Sequence, residues 1–140
     1  MSFDTITLLF DGAMKPPHNG WILESNAGVP VGEATFELIH LLRDDEEIIS
    51  SDGMVKRAKE EGVDFNQQVA EKMLANHEKI PESWRKFLII FSGTSWRSPF
   101  GYRFVPYLKW NKNNEHWFLG LFGFELGCSR RTRFLRLQCK

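Results

Sequence analysis

Apolar and polar positions alternate with period two in the last third of the chain, and that alternation predicts strands. Residues 102–110 send Arg103, Val105, Tyr107 and Lys109 to one side, and Tyr102, Phe104, Leu108 and Trp110 to the other. Residues 84–94, 116–125 and 132–139 carry similar aromatic and β-branched runs, punctuated by Gly, Pro, Asn and Ser. The run from Trp117 to Phe124 is apolar on both alternating sets, so it predicts a central strand covered on both faces. Pro106 interrupts the second run and predicts an edge strand or a bulge there, because proline cannot donate to a ladder. The Asn-Lys-Asn-Asn sequence at 111–114 predicts the hairpin turn between the second and third strands.

Upstream the period changes. Residues 3–10 alternate and read as a strand, and residues 21–23 read as a short strand that completes an N-terminal hairpin. Residues 32–42 place Phe36, Ile39 and Leu42 at helical spacing. A second helix is expected over 54–61, capped by Ser51 or Asp52 and ended by Gly62. A third is expected over 65–78, with Asp64 and Gln67 at capping-box spacing and a stripe of Val69, Ala70, Met73, Leu74 and His77. The fold class that follows is α+β. An antiparallel sheet of four or more strands, mainly C-terminal, packs with two or three helices from the middle of the chain on one face. At 140 residues the chain is expected to form one domain, residues 1–140.

Charge adds an asymmetry. The formal net charge is zero, but residues 1–80 sum to −8 and residues 81–140 to +8. The simplest account is mutual neutralisation, an acidic helical layer against a basic sheet. The alternative is a basic surface that meets an anionic partner. The N-terminal stretch lacks the basic start of a signal peptide, and no apolar run reaches the length of a membrane span, so a cytoplasmic location without membrane contact is expected. Cys128 and Cys139 are too few for a disulfide framework and read as free thiols.

Sequence motifs for chemistry are sparse. His18, His40, His77 and His116 share no metal spacing, and the acidic run from Asp44 to Glu47 lacks the alternation and glycine of a calcium loop. No metal or other cofactor is therefore expected. Residues 92–101 follow a strand but lack a phosphate-loop pattern and any helix after them, so they read as a structural connection. The two helices around Gly62 and Val63 invite a helix-turn-helix reading. The acidity of that segment opposes it and favours a plain helical hairpin.

The strongest signal is basic and aromatic interleaving: fourteen of the nineteen aromatic residues lie from Trp84 onward. Among them Arg97, Arg103, Tyr107, Trp110, Arg130, Arg131 and Arg133 form the candidate anion- or nucleic-acid-binding set. No RNA-binding motif accompanies them, and a small sheet protein needs most of its rings for its core. The preferred reading is a non-catalytic module that binds a protein or a second copy of itself, through the Pro106 edge strand or an aromatic face. Single-stranded nucleic-acid binding is the rival. A small enzyme with a pocket between the N-terminal loop and the sheet, using His18 as an acid–base group, is the third reading.

Overall fold

The computed structural model describes residues 5–10, 22–26, 32–41, 48–49, 51–123, 128–129 and 131–137. Within them lie ten strands: β1 (Ile6–Phe10), β2 (Ile22–Asn26), β3 (Gly32–Ile39), β4 (Ile48–Ile49), β5 (Leu88–Ile90), β6 (Thr94–Arg97), β7 (Arg103–Asn111), β8 (His116–Gly123), β9 (Cys128–Ser129) and β10 (Thr132–Leu137). The helices are α1 (Ser51–Glu60) and α2 (Gln67–Ala75), followed by 3-10 turns at His77–Lys79 and Glu82–Lys86. The architecture is α+β. Eight strands form one sheet in the order β1-β3-β10-β5-β7-β6-β2, with β8 on the other side of β7, and β4 pairs with β9 apart from it. All pairings are antiparallel except that of β10 with β5.

The sheet curls around α2. One buried cluster draws Ile6 and Leu8 from β1, Phe36 from β3, Leu135 from β10, Ile89 from β5, Leu108 from β7 and Trp117 from β8 onto Val69, Ala70 and Met73 of α2. The helix touches β1 at one end of this path and both β7 and β8 at the other. Six strands laid flat would separate β1 from β8 by about 24 Å, at about 4.8 Å per spacing. That is more than twice the width of a helix, about 10 Å. Only a strongly curved sheet lets one helix reach both. On the opposite face α1 packs Met54 and Ala58, with Val63 beyond its end, against Ile90, Val105 and Phe134. Ile89 and Ile90 are neighbours in one strand yet belong to different clusters, so the two helices lie on opposite faces. This placement overturns the expected single helical layer and helical hairpin, and it does not form the helix-turn-helix that the acidity of the segment opposed.

Several elements depart from expectation for nonlocal reasons. Of the segment 32–42, Gly32–Ile39 form strand β3 rather than a helix. Its helical stripe and a period-two set of Ala34, Phe36 and Leu38 share Phe36, and pairing with β1 on one side and β10 on the other selects the strand. β1 and β2 form no hairpin, because β1 pairs with β3 and β2 with β6. Trp84 lies in a 3-10 turn, and the expected strand over 84–94 is broken: β5 ends at Ile90 and β6 starts at Thr94. β8, expected to be central, pairs among the described residues with β7 alone. The strand of Pro106, expected to be an edge, is instead internal, bonded to β5, β6 and β8. Pro106 is accommodated because it faces the break between β5 and β6. Its carbonyl accepts from the Phe91 N–H at 2.9 Å, and the donor it lacks would point into the same gap.

α1 ends as expected at Gly62. The Val63 N–H donates to the Ala58 carbonyl at 2.9 Å and the Gly62 N–H to the Lys59 carbonyl at 3.2 Å, a Schellman pair. α2 is capped two residues later than expected: Asn66 Oδ1 accepts from the N–H groups of Gln68 and Val69, at 3.0 and 3.4 Å.

At the break, Gly93 is held against the entry to α2, and its N–H donates to the Phe65 carbonyl at 2.8 Å. A Cβ there would lie 2.7 Å from the Phe65 carbonyl carbon and 2.8 Å from its oxygen, and closer still to the Asp64 carbonyl oxygen. These neighbours are backbone, so they cannot swing aside. Gly93→Ala is expected to cost at least about 1–3 kcal/mol, the range for overpacking a buried site. Urea unfolding checks this, and an unchanged midpoint would show that the approach is looser than described.

Candidate interaction surface

β7 sorts the candidate residues into two groups. Because side chains alternate, Phe104, Leu108 and Trp110 face α2, while Arg103, Val105, Tyr107 and Lys109 face the other way. Register places Arg97 of β6 opposite Arg103, and Ile22 of β2 opposite Arg97, on this outer face. β8 adds Phe118, opposite Lys109, and Phe122, opposite Val105. Tyr107 is opposite Gly120, and its ring fills the space a side chain at Gly120 would take, since a Cβ there would meet ring atoms at 2.6–2.8 Å. The ring also meets Phe118 edge-on, with centroids 5.9 Å apart. Tyr107, Phe118 and Phe122 remain half-buried, while Arg103 and Lys109 are exposed.

Trp110 and Arg133 belong to the inner face. Trp110 meets Trp117 edge-on at 5.9 Å, and the Arg85 guanidinium lies over its ring at 3.8 Å. The Arg133 guanidinium lies 4.1 Å from the Phe87 centroid and donates to the Thr132 carbonyl at 3.0 Å. Partial burial lowers the Arg133 pKa from the ordinary arginine value, and the group still stays charged at physiological pH. Arg131 is exposed in the turn just before β10, and Arg130 lies outside the described residues. The structure therefore gathers Arg97, Arg103 and Tyr107 on one face and sends Trp110 and Arg133 to the other.

An ion pair among the described residues joins the acidic and basic halves. Arg136 of β10 meets Glu37 of β3 at 2.8 Å, and these two are register partners. The acidic partner belongs to the sheet, not to a helical layer.

The segment 92–101, expected to be a connection with no helix N-terminus facing it, contains β6 and is faced by the N-terminus of α2 from earlier in the chain. Its donors are already occupied: the Gln67 N–H donates to Thr94 Oγ1 at 2.8 Å, and the next two go to Asn66. Trp96, expected in a loop, is buried in β6, and its indole N–H donates to Gln67 Oε1 at 2.7 Å.

Sequence reasoning missed Phe118 and Phe122 as surface residues, together with the exposed Ile22, Leu23, Phe100 and Tyr102. Phe100, 89% exposed, carries a readable signal. It sits between Pro99 and Gly101 in a turn that offers no face to bury it. Among the described residues no group of three or more His, Cys, Asp and Glu comes together to hold a metal ion. No described helix is long and apolar enough to cross a membrane. His18, the acidic run 44–47 and Cys139 lie outside the described residues. Comparison of the chain with protein-family models, with curated proteins and with solved structures finds no match.

The Gln67–Trp96 bond generates a test. Gln67→Ala leaves a buried indole N–H without its acceptor, expected to cost about 1–3 kcal/mol. Combining it with Trp96→Phe is expected to cost less than the sum of the two single changes by urea unfolding. Additive losses would contradict a direct bond.

Proposed function

We propose that this chain is a protein-interaction domain whose contact surface is the β8 edge and the aromatic outer face beside it. β8 carries this reading. It is eight residues long, it pairs among the described residues with β7 alone, and Trp117 to Gly123 contain neither charge nor proline. Phe118, Leu119, Leu121 and Phe122 are only half-buried, so both faces of the strand hold incompletely covered apolar side chains. Edge strands are ordinarily guarded by lysine, proline or a bulge. An unguarded one supports strand addition, in which a partner's backbone supplies the missing ladder and its side chains enter the adjoining apolar surface.

A specific observation favours a second reading, single-stranded nucleic acid on the outer face. Arg97, Arg103 and Lys109 share that face with Tyr107 and Phe118. Three phosphate contacts give a log–log salt slope of only about −2, so stacking on the rings has to supply the rest of the affinity. The pocket-enzyme reading depends on His18, outside the described residues, and no described feature favours it.

A photoreactive phenylalanine analogue at position 118 tests the two readings together, because it sits beside both the edge and Lys109. Irradiation of cells producing the full chain is expected to yield discrete protein adducts. Nuclease-sensitive adducts in their place would favour nucleic acid, and the absence of any adduct would contradict both.

A further inference from the structure

β8 carries a palindrome: Phe118-Leu119-Gly120-Leu121-Phe122 reads the same in both directions. In an antiparallel pair, residues that face each other have numbers with a constant sum. A strand paired with its own copy about a two-fold axis at Gly120 therefore sets Gly120 opposite Gly120 of the second copy. Leu119 then faces Leu121, and Phe118 faces Phe122. We propose that the occupant of the β8 edge is a second copy of this chain, paired antiparallel in this register. The proposal rests on the reading of β8 as the interaction edge and adds the identity of the partner.

Three observations converge on this register. Like side chains meet on each face: four phenylalanines gather on the outer face and four leucines on the face toward α2, and aromatic and aliphatic cross-strand pairs of this kind stabilise sheets. A slip of two residues in either direction sets a phenylalanine against Gly120, and a slip of one joins the outer face of one copy to the α2 face of the other. Gly120 is also where Tyr107 lies over the strand, so the absent side chains at the axis leave room for both rings. No like charges meet within the paired stretch, since Trp117 to Gly123 are uncharged. An isologous contact of this kind also closes, giving a dimer rather than a fibre.

The test uses the full-length chain. Light scattering coupled to size exclusion is expected to give about twice the 16.3 kDa chain mass, falling on dilution. Two double variants then read the register. Leu119→Lys with Leu121→Lys brings four lysines together and is expected to give a folded monomer by circular dichroism. Leu119→Lys with Leu121→Glu sets each lysine opposite a glutamate of the other copy and is expected to restore the dimer. A dimer from the four-lysine variant, or none from the lysine–glutamate variant when it is folded, would overturn the register. If both variants fail to fold, the wild-type mass and hydrogen exchange decide the matter. A wild-type monomer at the highest soluble concentration overturns self-pairing. Fast-exchanging β8 amides in that monomer would leave the interaction reading standing for another partner, whereas protected ones would remove that reading as well.

Discussion

The entry to α2 is pinned to a break in the sheet, and the remaining architecture depends on that junction. Gly93 lets the β5–β6 connection touch the backbone at Asp64 and Phe65. Thr94 and Asn66 take the first donors of the helix, and Trp96 bonds Gln67. These groups are buried, and each would cost about 1–3 kcal/mol if left without its partner, so the junction tolerates little displacement. With the chain turned aside at Phe91 to Gly93, β5 proceeds to pair with β10 and β6 with β2, though both lie along β7. Pro106 sits across from the gap, where its missing donor has no ladder to serve.

Curvature follows from the helix so placed, and the surface follows from the curvature. The inner face closes around Val69, Ala70 and Met73. The outer face is covered by α1 over Ile90, Val105 and Phe134, and toward β8 it leaves Tyr107, Phe118 and Phe122 half-buried. Apolar residues in that position contribute less to the fold than a buried core residue does. Covering them with a partner would release the water they still hold, which is the physical ground of the interaction role proposed above.

What could be read from the sequence was local. Residues 103–111, 116–123 and 132–137 are strands because dense alternation and turn residues specify them within a few positions. Gly62 ends α1 for the same kind of reason. Pairing order was not local. That β7 is internal, while β8 has one neighbour among the described residues, depends on β5 and β6, and β3 is a strand because β1 and β10 flank it from far along the chain. The candidate site divides on the same line. Period two places Arg103 and Tyr107 on one face of their strand, and Trp110 on the other. That Arg97 joins the first two required the register across the β6–β7 turn. That Arg133 stacks on Phe87 required the parallel pairing of β10 with β5, which no local pattern announces.

The central claim is that α2 is the core element around which the sheet is wound, rather than a helix laid on one side. Native-state hydrogen exchange resolved by residue tests it most directly. The account predicts that the amides of Ala70 and Met73 exchange as slowly as those of Ile89 and Leu108, all opening only with global unfolding. Exchange of the α2 amides through a separate, lower-energy opening, with the β5 and β7 amides still protected, would contradict it.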